Sequence, residues 1–167
     1  MLLKSLRLLT ILAAALALSY PFCRLLEVPS KRILDWANYY TEHRIYGPFD
    51  MTSVLIETFA FASGIVLLVY VRGRRPAFAL TLAGTGSLAA ALMLWFILVV
   101  PVNVEFAKAS AAVPPQNWGT LRDQWEYTQA IRAVLQLIAL SLLVMSVIAE
   151  TPAIVELRTV GRWDRAA

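Results

Sequence analysis

Between Arg75 and Glu105 the chain carries no charged residue. That stretch exceeds the ~20 apolar residues a helix needs to cross the hydrocarbon core of a bilayer. It predicts a membrane helix over 76–100. Three more apolar segments accompany it: 8–26, where Arg24 is the lone charge; 51–71, interrupted by Glu57; and 128–149, with Arg132 near its start. Backbone amides in hydrocarbon find no water to bond, and a few segments this long cannot close a barrel, so each is predicted to be a helix. Composition agrees. The chain is 59% hydrophobic and 16% charged, against about a quarter charged in a soluble domain.

The expected fold is therefore all-α, a four-helix transmembrane bundle forming a single domain over 1–167. Outer loops are expected at 27–50 and 101–127, with a cytoplasmic tail over 150–167. Lys4 and Arg7 precede the first helix, Arg72, Arg74 and Arg75 fill the turn between the second and third, and Arg158, Arg162 and Arg165 follow the fourth. Basic residues favour the cytoplasmic side of short connections, which puts both termini and that turn in the cytoplasm of a multi-pass cell (inner) membrane protein. The raw count is close, eight of these bases inside against seven elsewhere, but the inside ones sit on the shorter segments. The basic start of the first segment, with Ala17 and Ser19 before Tyr20, also resembles a signal peptide. Apolar character continuing through Phe22, Leu25 and Leu26 favours a retained helix.

The net charge of +4 does not indicate nucleic acid, because the bases punctuate apolar runs instead of forming a stripe. A single cysteine, Cys23, and a single histidine, His43, disfavour a disulfide framework and a zinc or haem site. No metal and no cofactor are expected. The run Gly84-Thr85-Gly86-Ser87-Leu88-Ala89 matches a dinucleotide-binding pattern, but no strand precedes it and it lies mid-membrane, so it is read as small-residue helix packing. The aromatics of the outer segments (Trp36, Tyr39, Tyr40, Tyr46, Trp118 and Trp125) are read as lipid-headgroup anchors.

Polar residues within the membrane are costly and point to function or pairing. Glu57, about two turns into the second helix, is the leading candidate base, with Glu27 as a second. On the fourth helix Arg122, Trp125, Gln129, Arg132 and Gln136 are three or four residues apart, so a continuous helix presents them on one face. Arg24 shares a face with Glu27, and Asn103 follows Pro101 at the same level. Converging acids and donors make this the default pocket, with Arg24, Arg122 and Arg132 placed to stabilise an anion. His43, in "TEHRIYGPF", is read as a solvated loop residue.

The segments "LLEVPSK" (Leu25–Lys31) and "PVN…NWGTLRDQWEYTQAIRAVL" (Pro101–Leu135) resemble the anthrone-oxygenase-like family of small membrane proteins. The resemblance implies a four-helix bundle. It also implies oxygenation of an activated aromatic ring without metal or flavin. Many relatives have histidine where this chain has Gln129 and Arg24, and Gln129 cannot accept a proton near neutral pH; if those histidines carry the chemistry, this chain has lost it or uses Glu57 instead.

Two readings follow. One is a cofactor-independent oxygenase-like enzyme acting on a hydrophobic aromatic or quinone-like molecule, with a cavity reaching Glu57. The other is a non-catalytic subunit binding lipid, a membrane-protein partner or a second copy of itself, with the polar stripe as interhelical glue and no cavity. Membrane lipid is the expected surrounding in both. A transporter is disfavoured, since no pair of broken helices is evident.

Overall fold

The computed structural model describes residues 1–150, which are helical almost throughout. The elements are α1 (Leu2–Lys31), α2 (Trp36–Val71), α3 (Arg75–Leu94), a π-helical turn (Trp95–Val99), α4 (Val100–Lys108) and α5 (Trp118–Ile148). α3, the π turn and α4 run on as one span, giving four helices long and apolar enough to cross a membrane. The tail bases Arg158, Arg162 and Arg165 lie outside the described residues.

α1 packs against α2 and α5, and α3 against α5 and α2, so the four spans form a closed ring around a common axis. One end, here called proximal, holds the N-terminus, the α2–α3 turn and the end of α5. The distal end holds the α1–α2 turn, the 109–117 loop and the start of α5. The outward faces carry Leu9, Leu12, Leu16, Leu55, Phe59, Phe96, Ile97 and Val134, all exposed. In water such a surface would aggregate; against acyl chains it is the expected one. The chain is an integral membrane protein.

The helices extend beyond the apolar segments, and this corrects the expected outer loops. The 27–50 region is the end of α1, a four-residue turn and the start of α2, not a loop. α1 continues to Lys31, and Asp35 N-caps α2, its carboxylate accepting from the Asn38 amide at 2.9 Å. An N-cap carboxylate satisfies one of the helix's free amide donors. In the 101–127 region only 109–117 is irregular, pinned by a bridge between Ser110 and Val113. Trp36 Nε1 donates to the Ser110 carbonyl at 2.8 Å and Tyr40 Oη to the Ala109 carbonyl at 3.0 Å, tying this loop onto α2.

Pro101 explains the π turn. It has no N–H to offer the preceding turn, and the chain widens locally, with Val100 N–H donating to the Trp95 carbonyl. The side-chain amide of Gln124 on α5 donates to the Leu98 carbonyl at 3.0 Å. A backbone acceptor in the bilayer is thereby satisfied by a neighbouring helix.

Close helix approach depends on small residues, as expected for "LAGTGSLAA". A β-carbon on Gly84 would lie 3.1 Å from the Ala139 carbonyl oxygen, and one on Gly64 would lie 2.7 Å from Thr85 Oγ1. Ala13, Ala14, Ala60, Leu88, Ala139 and Leu143 form the proximal packing layer. The distal core is aromatic: Trp36, Tyr39, Trp95, Phe106 and Trp125 pack with Val54, Leu92, Val99 and Val102. Trp36, Tyr39 and Trp125 are thus core residues, not headgroup anchors.

Candidate functional site

α5 is unbroken from Trp118, so the predicted stripe exists: Trp125, Gln129, Arg132 and Gln136 are all buried on its inward face. Arg132 meets Glu57 of α2 at 2.7 Å, both side chains being 0% exposed. Its other terminal nitrogen donates to Gln129 Oε1 at 2.6 Å. Gln129 Nε2 in turn donates to Asp50 at 2.9 Å, and Trp95 Nε1 donates to the other Asp50 oxygen at 3.0 Å. The result is a continuous chain, Trp95–Asp50–Gln129–Arg132–Glu57, linking α2, the π turn and α5.

Asp50 was missed in the sequence because it looked like the last residue of a loop. With α2 starting at Trp36 it lies inside the helix, seven residues before Glu57. Seven residues is two turns, so both carboxylates face the same way. The same correction moves Glu57 from near a helix end to the middle of a long helix.

A second cluster lies at the distal end. Arg24 pairs with Glu27 at 2.9 Å and with Glu42, and Lys31 approaches Glu27 at 3.0 Å, Glu42 at 3.3 Å and Glu126 at 3.7 Å. Tyr39 Oη donates to Glu126 at 3.1 Å. The Arg24 guanidinium also lies over the rings of Tyr20, Tyr46 and Trp125. Arg122 stands apart, bonded to Asp123 and stacked over Trp118. Each of the three arginines expected to clamp an anion is therefore bound to a carboxylate of this chain. Glu27, the second expected base, is held by Arg24 and Lys31.

Two cavities open near these clusters. One, about 350 Å³, is lined by Tyr20, His43, Asp50, Asn103, Phe106 and Trp125 among others. The other, about 450 Å³, is lined by Tyr20, Cys23, Arg24, Glu27 and Tyr46 among others, so Tyr20 forms the wall between them. Glu57 lines neither.

His43 is the largest departure from expectation. It is a residue of α2, not of a solvated loop, and its ring packs between Tyr39, Phe106 and Trp125, with centroids at 6.2, 5.0 and 5.2 Å. Asn103 lines the same cavity, its Oδ1 accepting from Trp125 Nε1 at 3.0 Å. Of the residues expected at the site, Asn103 and Trp125 line the smaller cavity, Arg24 and Glu27 the larger. Gln129 and Arg132 reach the smaller one through Asp50, and Arg122 reaches neither. The spacing of Trp36, Tyr39, His43 and Asp50 at three, four and seven was the legible sign of a helical face. No family model, no curated protein and no solved structure matches this chain.

Proposed function

We propose that this membrane-spanning bundle binds a hydrophobic aromatic or quinone-like small molecule in the 350 Å³ cavity, with His43 and Asp50 as its proton-exchanging groups. One observation carries the reading: an imidazole and a carboxylate line a single cavity whose walls also carry the rings of Tyr20, Phe106 and Trp125. Sites for small apolar ligands have this composition, with a few converging polar groups in an apolar pocket. A neutral imidazole has one ring nitrogen free to accept a proton. Glu57, engaged by Arg132 and away from the cavity, positions the Arg132–Gln129–Asp50 chain; it does not meet the ligand.

The resemblance to anthrone-oxygenase-like proteins supplies a reaction class. A base removes a proton from the ring-activated carbon of the substrate, and the resulting anion gives an electron to dioxygen. Radical and superoxide then join in a C–O bond. The peroxide takes the proton back, and loss of water with O–O cleavage leaves the ring carbonyl. Here His43 is the base. Arg24, Arg122 and Arg132 are paired, so the anion's charge would be held by Arg44, which lines the cavity with no ion-pair partner among the described residues, and by Tyr20 and the Asn103 amide. The alternative, a non-catalytic subunit joined to a partner through its polar stripe, has one observation in its favour: the stripe binds helices together. It binds helices of this chain, however, and leaves the cavity unexplained.

Native mass spectrometry of protein released from its own membranes tests the proposal, alongside thermal shift with an added hydroxynaphthoquinone. Wild type should retain a small molecule or be stabilised by the probe. His43→Ala and Asp50→Asn should lose both responses while remaining folded. Bare wild-type protein that the probe does not stabilise would overturn the reading, and a co-purifying protein lost on Arg132→Met would favour the subunit.

A further inference from the structure

The polar groups of the bundle do not stop at Glu57. Gln136 follows Arg132 by four residues on the same face of α5, about 6 Å nearer the proximal end. Thr85 of α3 lies against Gly64, which follows Glu57 by seven residues on α2. Gly84 lies against Ala139, three residues beyond Gln136, so Thr85 is the next level down. Thr81 follows one turn nearer the proximal end. Gln136, Thr85 and Thr81 are 0%, 2% and 0% exposed. They form a column along the axis.

This column differs from the hydrogen-bonded chain above it in one respect. There, every polar group of the Trp95–Asp50–Gln129 chain has a protein partner. Below it, Glu57 Oε1, Arg132 Nε, both amide atoms of Gln136 and the hydroxyls of Thr85 and Thr81 have none among the described residues. Six orphaned buried polar atoms in consecutive levels of one membrane bundle are not a random scatter. Buried polar groups are almost always satisfied, and where protein does not do so, internal water does, typically through about three hydrogen bonds per molecule. Ser53, Ser63 and Ser146, also buried, each donate to a backbone carbonyl; the other unpartnered buried atoms, on Arg7, Glu150, Lys31 and Glu126, lie in the ion-pair clusters at the two ends of the bundle.

We propose that the proximal half of the bundle axis is a binding site for a file of water molecules, running from the Glu57–Arg132 pair past Gln136 and Thr85 to Thr81. A file of hydrogen-bonded water transfers protons along its length. It therefore gives the buried ion pair, and through Gln129 and Asp50 the distal cavity, a proton route toward the proximal end. The inference rests on the orphaned atoms and is independent of what the cavity binds.

Single cysteines at positions 81, 85 and 136, placed in a Cys23→Ser background in lipid nanodiscs, test it with silver ion, a cation about the size of water. Leu88→Cys, one turn from Thr85 in the apolar packing layer, is the dry control. Thiols react as thiolates, which apolar burial suppresses, so hydrated positions should react about tenfold or more faster than the control. Rates equal to the control at all three positions would overturn the proposal. Thr85→Val gives a second readout that tolerates a failed cysteine variant. Losing a hydroxyl that holds water should lower Tm by a few degrees. A rise in Tm would mean that the hydroxyl was dry and unsatisfied, and would also overturn it.

Discussion

At the scale of single residues, the chemistry of this protein is governed by which charges are already paired. Arg132 and Glu57 are fully buried and meet at 2.7 Å. Removing one partner strands the other in a low-dielectric interior, which costs about 3–5 kcal/mol, whereas replacing both by apolar groups of similar size is often neutral. Arg132→Met should therefore lower stability by that amount in detergent unfolding, and the double variant Arg132→Met, Glu57→Leu should recover most of it. A double variant as unstable as the single one would show that the pair contributes more than its own neutralisation. His43→Ala should behave differently, removing ring packing but no ion pair. Its main effect is expected on ligand retention.

At the scale of the helices, packing against a neighbour decides what each small residue does. Gly84 and Gly86 are two residues apart on α3, yet a β-carbon on Gly84 meets the Ala139 carbonyl at 3.1 Å while one on Gly86 meets nothing within 4 Å. Gly84→Ala must push α3 from α5 and should cost about 1–3 kcal/mol. Gly86→Ala should stabilise by about 0.5–1 kcal/mol, because alanine loses less backbone freedom in a helix. Opposite signs in paired thermal melts would confirm the assignment; two equal losses would refute it. Gln124→Leu frees the Leu98 carbonyl and should cost about 1–3 kcal/mol, the penalty for an unsatisfied buried acceptor. The π turn that makes this bond necessary was foreshadowed only by Pro101. A sequence reading places a proline there but not the helix that caps its consequence.

At the scale of the whole molecule, the proximal end is held by one carboxylate. Glu150 accepts from Arg7 of α1 and from Arg74 at the α2–α3 turn, joining three connections. Desolvation opposes its ionisation, but the hydrogen bonds and charges of the two arginines outweigh it and hold its pKa below the ordinary carboxylate value. A folded-state pKa below the unfolded one adds stability that is present above the unfolded value, about 4.3, and is lost as pH falls through the folded value. Melting temperature should therefore decline more below pH 4 in wild type than in Glu150→Gln, where the difference should vanish. The bundle also places Met1 and Glu150 at one end and the 109–117 loop at the other. Cysteines at position 2 and at position 112 should consequently label from opposite sides of sealed vesicles.

The fold was legible because the bilayer leaves few options. Apolar runs of spanning length must be helices, and a stripe spaced by threes and fours on an unbroken helix must share a face, so Trp125, Gln129, Arg132 and Gln136 could be placed together from sequence alone. The length of the helices was less accessible. Charged and aromatic residues beyond the apolar core look like loop, and that misreading put His43 in solvent and left Asp50 unnoticed. Pairing was not legible at all. Whether Arg24, Arg122 and Arg132 face a ligand or a carboxylate depends on which residues of other helices arrive at their level. The sequence by itself determined four spans and the inward face of the fourth, because both follow from local hydropathy and period. Only the tertiary structure decided that Glu57 is consumed in an ion pair while His43 and Asp50 line a cavity, because distance between helices is set by the packing of residues far apart in the chain.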